Sequence, residues 1–541
     1  MTALAQRGFV SQGLAWRTGS APPAFEAGQI AAAVQRVREP LHIVSDGAGG
    51  IRGLALGGEV TTAAAGHYPL IGTLPALYPE WLGDRAFGET HRVRFPYVAG
   101  EMAHGIATTR MVIAMARAEM LGMFGAAGLD LPGIERAVDE LASVLARRSG
   151  WGVNLIYSPG EPTLEERAAD LLLRRGVPII SVSAYMDITL PLARCAAAGL
   201  RLDPDGQFVR PVRIFAKVSR PEVAEKFMSP APGELLARLV ARGQLTEQEA
   251  RLAARVPVAE DVTVEADSGG HTDNQPLGAV LPVILALRDA VAARFGYPHR
   301  IRVGAAGGLG CPQGVAAAFA LGAAYVLTGS VNQLAIESGV SDDARAMLAE
   351  ADIADVTMAP DADMFEMDVR VQVLRRGTMF APRAQRLYEV YRSHPSVEAI
   401  PASLRATLER DVLHASLADI WAETRRYWLA RDPNEIARAE QDPKHQMALI
   451  FRWYLGSSSR WAIRGEVTRR TDYQLWAGPA VGAFNRWTAG SFLAAPAERT
   501  VTQIALNLME GAAVTTRAHQ ARSYGVPVPA QAFTFAPRRL C

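Results

Sequence analysis

Eight short apolar runs alternate with helix-forming segments between residues 95 and 330, a glycine-rich loop follows the seventh run, and a small-residue loop follows the eighth. These three observations predict an α/β protein centred on a (β/α)8 (TIM) barrel. Eight strand–helix units over roughly 250 residues make such a barrel, and the loops after its last two strands commonly hold a phosphate. An open doubly wound sheet uses the same alternation, but unit count and loop placement favour closure. Around the barrel (96–380) the sequence places an N-terminal α+β appendage (1–95), an inserted loop and helical segment after the fifth strand (about 220–260), and a C-terminal helical domain (381–541).

In chain order, residues 25–37 read as a helix, and 41–45 and 51–55 as a hairpin turning at Asp46-Gly47-Ala48-Gly49-Gly50. The barrel strands are predicted at 97–101, 123–126, 152–157, 178–183, 212–218, 262–266, 301–305 and 325–328. Thr163-Leu-Glu-Glu166 has capping-box spacing before a helix that Gly176 stops. Residues 276–295 form a long helix ending at Gly296, and 313–321 a short Ala-rich one. The overlong unit at 220–260 holds a helix at 221–227 and a break at Pro230 and Pro232; loops of that length shape active-site mouths. Beyond 380 helical patterning dominates, and Trp421, Trp428, Trp453, Trp461, Trp476 and Trp487 are expected to supply its core.

Composition narrows the function. Of 541 residues, 49% are hydrophobic and 21% charged, which suits a large core and excludes global disorder. Lys plus Arg (56) balances Asp plus Glu (55), so nothing electrostatic points to nucleic acid or a membrane surface. Three distant cysteines, Cys195, Cys311 and Cys541, suit a reducing compartment and exclude a disulfide framework. No apolar signal core follows Arg7. Residues 304–336 lack Asp, Glu, Lys and Arg over a bilayer-spanning length, but their Gly, Ala, Pro312, Gln313, Asn332 and Gln333 read as buried αβ structure. The expectation is a soluble, cytoplasmic protein.

Four places carry chemistry. In Gly304-Ala-Ala-Gly-Gly-Leu-Gly310 the glycines let backbone N–H groups approach an anion near a helix N-terminus, and Thr328-Gly329-Ser330 offers a second such loop. The segment from Glu265 to Asn274 places Ser268, Gly269 and Gly270 where a flat ring or phosphate can lie close, with His271 projecting at the catalytic face. Asp267, His271 and Asp273 lack the further ligands a metal site needs, so no metal is expected. Lys217 ends the fifth strand, where it either stabilises an anionic ring, forms a Schiff base, or is simply paired with Glu265 or Asp187. Asn154 is polar within an apolar strand, either facing a ligand or paired in the core. Small residues at four strand ends, including Val98-Ala-Gly-Glu-Met-Ala-His-Gly105 and Gly125-Ala-Ala-Gly128, clear space for something planar such as FMN, or for a sugar phosphate.

Ala99-Gly-Glu-Met-Ala103, Glu265–Asn274, Gly304–Gly310 and Val356-Thr-Met-Ala-Pro-Asp-Ala-Asp-Met-Phe-Glu-Met367 together resemble the PfaD family. Its members are trans-acting enoyl reductases of polyketide and polyunsaturated fatty-acid synthases, related to nitronate monooxygenases. Ala448-Leu-Ile-Phe-Arg-Trp-Tyr-Leu-Gly456 and Tyr473-Gln-Leu-Trp-Ala-Gly-Pro479 extend the match through most of the chain beyond residue 90. The resemblance implies an FMN-dependent barrel that uses NADPH to reduce an α,β-unsaturated thioester on an acyl carrier protein. It implies an FMN site drawing on Ala99, Gly100, Glu101, Met102, Asn154, Lys217, Ser268, Gly269, Gly270, Gly307, Gly308, Gly329 and Ser330, with His271 over the flavin and His271 and Lys217 as catalytic groups. Gln275 stands where the family pattern has Arg.

The partners implied are synthase modules and their carrier proteins, with a homodimer compatible and no nucleic acid or membrane. Arg220, Lys226, Arg425, Arg426, Arg469 and Arg470 are candidates for contacting an acidic carrier. The alternatives are a nitronate monooxygenase-type flavoenzyme, a Schiff-base aldolase using Lys217, and a non-enzymatic synthase scaffold.

Overall fold

A computed structural model describes residues 13–47, 50–145, 150–157 and 162–541. Arg7 and the hairpin residues Ala48 and Gly49 lie outside them. The predicted strands form one closed parallel barrel: β1 (Tyr97–Ala99), β2 (Leu121–Phe124), β3 (Trp151–Ile156), β4 (Ile179–Ser183), β5 (Arg213–Val218), β6 (Asp261–Glu265), β7 (Arg302–Ala306) and β8 (Val326–Thr328). They neighbour one another in chain order, and closure comes from β8 against β1, with Leu327 opposite Val98. Both strand faces are covered, one by helices and one by the barrel interior, so the strands read as near-continuous apolar runs. Inside the barrel Val98, Leu121, Met123, Ile179, Phe215, Tyr325 and Leu327 pack as one cluster, which Phe87 closes from below.

The charge-free stretch 304–336 resolves into β7, the helix Pro312–Ala320, β8 and a short 3-10 turn. Among the described residues no helix is long and apolar enough to cross a membrane. Insertion after β5 forms three helices, Pro221–Met228, Gly233–Ala241 and Glu247–Ala253. The capping box falls here, between Thr246 and Glu249, rather than at Thr163. Thr163 lies one residue inside the helix Pro162–Arg174, so it is not the cap.

The N-terminal layer is a helix, Ala27–Val34, on a five-stranded antiparallel sheet. Its hairpin pairs Leu41–Ser45 with Arg52–Leu56, Leu41 facing Leu56. Three further strands, Leu14–Arg17, Glu59–Thr62 and Tyr68–Leu74, are not evident from the sequence; Pro69 and Gly72 mask the alternation of the last.

Packing runs across residue 380. Strands Val356–Pro360 and Arg370–Leu374 pair antiparallel. Ala359, Phe365, Val371 and Val373 share a core with Phe380, Tyr388, Phe451 and Tyr454 of the helices that follow. The last segment goes elsewhere. Helix Val501–Ser523 lays Ile504, Leu508 and Ala512 on the barrel and Ala513, Val514 and Ala518 on the N-terminal layer. The last long helix of the C-terminal helical stretch has apolar residues nearly all round and buries them against two other layers.

Candidate active site

The loops at the C-terminal ends of the barrel strands converge on a cavity of about 530 Å³, within the ordinary size of a cofactor or substrate pocket. Its floor holds the strongest electrostatic feature of the mouth. Lys217 Nζ, at the end of β5, lies 3.1 Å from Glu265 of β6 and 3.6 Å from Glu101 beyond β1. Burial pulls the ammonium pKa down, but Glu265 and Glu101 outweigh it and hold Lys217 well above the ordinary lysine range. A Schiff-base lysine needs the opposite shift. Its two carboxylate partners leave Lys217 engaged rather than poised as the free amine an aldolase uses, and Asp187, its other expected partner, pairs with Lys226 instead.

Glycine loops form one wall. Gly307 and Gly308 take left-handed φ angles of +86° and +70°. A Cβ on Gly307 would strike the Ala266 and Asp267 backbone within 2.8 Å, whereas at Gly308 and Gly329 it would meet nothing and project into free space. Gly307 is thus required by packing and Gly308 leaves room. Gly269 lines the cavity too, but a Cβ there would stand 2.8 Å from Ala477 N, so its bareness admits the 476–478 segment more than a ligand.

His271 lines the cavity with its side chain 42% exposed, and its Nε2 faces Asp361 at 3.5 Å. Burial pulls the imidazole pKa down; Asp361, then Asp363 and Glu265, outweigh it and leave it raised. Asn154 is buried, donates to Ser181 O (3.2 Å) and Ser183 Oγ (3.1 Å), and also lines the cavity. Ser268 Oγ donates to Glu265 at 3.2 Å. Two of the expected cofactor residues are not brought to the cavity: Ala99 is buried within β1, and a Cβ on Gly100 would meet the Leu327 side chain at 2.5 Å. They serve barrel packing. Glu101, Met102, Asn154, Lys217, Ser268, Gly269, Gly270, Gly307, Gly308, Gly329 and Ser330 all line the cavity. Asp273 turns to Arg220 (2.8 Å) and Asp267 to Gln372 (2.6 Å), away from any shared centre with His271.

Sequence reasoning missed the roof. Helices Leu417–Arg431 and Pro443–Arg464 present Tyr427, Trp428, Arg431, Arg452, Trp453 and Arg460 to the cavity. Trp476 also lines it, stacked on His104 with ring centroids 5.7 Å apart. Trp428, Trp453 and Trp476, read from sequence as core, are therefore wall residues. The stretches 356–367 and 473–479 were singled out by resemblance, yet nothing in their spacing says that Asp361 and Trp476 reach the site. Among the candidate carrier contacts, Arg469 packs its guanidinium 3.8 Å from the Trp461 ring centroid and pairs with Asp472. Arg220, Lys226 and Arg425 are held in ion pairs.

A closed parallel barrel with glycine loops, a buried Lys–Glu cluster and a His–Asp pair around one deep mouth defines a ligand-holding barrel of the enzyme type. Residues 85–377 match the family model described as nitronate monooxygenase, and residues 394–473 that of the inserted helical domain of [acyl-carrier-protein] S-malonyltransferase. The chain belongs to the nitronate monooxygenase family.

It is similar to a polyunsaturated fatty acid synthase component of Thraustochytrium sp., with 45% identity over 449 residues covering 82% of this chain and 30% of the relative. Polyketide biosynthesis protein ThaF of Burkholderia thailandensis is 45% identical over 442 residues, 82% of this chain and 38% of ThaF. PksE of Bacillus subtilis is 41% identical over 435 residues, 80% of this chain and 56% of PksE. The chain thus spans between 30% and 56% of the length of these curated relatives. The crystal structure of the enoyl reductase domain of MlnA, from the macrolactin cluster of Bacillus amyloliquefaciens, superposes with a TM-score of 0.78 at 34% identity, covering 82% of this chain and 99% of that one.

Proposed function

We propose that the chain is a trans-acting enoyl reductase, reducing the α,β double bond of enoyl thioesters on acyl carrier proteins during polyketide or polyunsaturated fatty-acid assembly, with FMN bound and NADPH as reductant. The observation that carries this reading is the convergence of both glycine loops, Lys217 and His271 on one cavity. Likeness to an enoyl reductase domain and to synthase components supports it.

The residues present fit a flavin mononucleotide. Gly308 and Gly329 offer open backbone after β7 and β8, where a phosphate is held in many barrels. Gln333 lines the cavity, and its Oε1, buried without a hydrogen-bond donor, suits a ring N–H. When bound, the flavin supplies the hydride chemistry that no side chain here performs. The chain's own residues do the rest. Lys217 fixes a positive charge at the floor. Trp428, Trp453 and Trp476 exclude water and offer an apolar path for an acyl chain. His271 holds a proton beside the space where an enolate needs one.

The purified protein should be yellow and release FMN on denaturation, and it should oxidise NADPH when given a crotonyl thioester. A colourless protein that cannot be reconstituted with FMN sinks the proposal. Oxygen uptake on nitroalkanes, without thioester-dependent turnover, would reassign it to nitronate oxidation.

A further inference from the structure

Asp361 follows the strand Val356–Pro360 and is buried. Its Oδ2 accepts the N–H groups of Asp363 (2.9 Å) and Met364 (3.1 Å) and lies 3.5 Å from His271 Nε2. One strand sets this distance. Arg370–Leu374 pairs on one side with Gly270–His271, placing Val371 opposite His271, and on the other with Val356–Pro360, placing Val371 opposite Ala359. Gln372 on the same strand donates to Asp267 Oδ1 (2.6 Å) and Ser268 O (2.7 Å), which pins the loop that carries the histidine. Three carboxylates bear on the imidazole: Asp361 and Asp363 from this turn, and Glu265 from β6, which is engaged with Lys217.

We propose that Asp361 is the positioning residue of His271: its carboxylate holds Nε2, so that Nδ1 is the ring nitrogen left to donate a proton into the cavity. This deepens the enoyl reductase reading and rests on it for the identity of the acceptor. In the step, the Nδ1–H bond breaks, a C–H bond forms at the α-carbon of the enolate, and the neutral ring regains its proton from water at its exposed edge. The charge state agrees. Burial raises the Asp361 pKa, but the hydrogen bond and charge of His271, with the two backbone N–H groups, outweigh it and leave the group lowered. A lowered carboxylate facing a raised imidazole is the pattern in which each group favours the charged form of the other.

Asp361→Asn separates positioning from structure. The amide oxygen still accepts both N–H groups, so the turn survives, but the charge opposite Nε2 is gone. We expect Asp361→Asn to keep its unfolding midpoint and flavin content. The His271 pKa, followed by NMR with His271→Asn as the assignment control, should fall by about one unit or more. The upper limb of the pH profile for thioester reduction should move to lower pH by the same amount, with roughly a tenfold or greater loss of kcat at pH 8. An unchanged His271 pKa in a folded Asp361→Asn protein overturns the proposal. If that variant fails to fold, the wild-type titration decides: a ring pKa at or below the ordinary histidine value overturns it equally. A wild type with no thioester turnover removes the enoyl reductase reading, while the titration still judges the pair.

Discussion

At the scale of single residues, the site divides into groups that hold charge and groups that leave space. His271 is the first kind. Its raised pKa means the protonated ring is present below that pKa and lost as pH rises through it, so any step needing its proton slows in the same direction. His271→Ala should load with flavin and bleach with NADPH at close to the wild-type rate. Recovery of colour on enoyl thioester should be about 10²–10⁴-fold slower. Stopped-flow absorbance reads the two halves separately, and equal losses in both would mean the ring is merely structural. Gly308 is the second kind. With φ at +70° and open space at its Cβ position, Gly308→Val both strains the backbone and fills the cradle. Flavin affinity, measured by fluorescence titration, should weaken at least tenfold, about 1.4 kcal/mol. An unchanged affinity would place the phosphate elsewhere.

Among the elements, the barrel strands were legible because each is a short apolar run closed by small or polar residues, and covering on both faces leaves no alternation to misread. The hairpin Val356–Pro360/Arg370–Leu374 was not, since Pro360 and the intervening Asp361-Ala-Asp-Met-Phe-Glu-Met-Asp368 look like loop. Under the barrel, β6 and β7 are tied by charge. Asp261 is fully buried, bidentate to Arg302 at 2.7 Å and 3.0 Å from His91 Nε2. Burial raises the Asp261 pKa, but Arg302 and then His91 outweigh it and hold it below the usual carboxylate range. Asp261→Asn leaves Arg302 buried without its counter-charge, and should cost about 3–5 kcal/mol in urea unfolding. The wild type carries this stability in full above the unfolded carboxylate's pKa, near 4, and should lose it progressively as pH falls below that point. A flat stability profile from pH 5 to pH 2 would refute the assignment.

For the whole molecule, one helix joins two layers, the barrel and the N-terminal layer. Val501–Ser523 packs on the barrel helix Pro312–Ala320 and on the N-terminal sheet and helix, and a Cβ on Gly511 would stand 2.5 Å from the Pro312 ring. Gly511→Leu should force these layers apart, at about 1–3 kcal/mol for overpacking. Calorimetry should show a lowered Tm; retention of the wild-type Tm would mean that the layers yield easily. The roof is equally a property of the assembled molecule. Arg460 reaches the cavity from the helix Pro443–Arg464, makes no ion pair with a described residue and donates to Ser457 Oγ at 3.0 Å. Arg460→Met should therefore raise KM for thioesters on an acidic carrier more than for a short, uncharged thioester.

The sequence by itself determined the barrel, its eight strands, the glycine loops and the placement of Lys217 and His271 at strand ends. Those features are local: periodicity, turn chemistry and position along a strand are written in contiguous residues. Only the tertiary structure decided that Lys217 is a paired cation, that Ala99 and Gly100 serve packing, and that Asp361 and Trp476 meet His271 and His104. These outcomes join residues about 50 to more than 350 positions apart, and they depend on which apolar face each helix and strand buries, a choice made only when the layers close on one another.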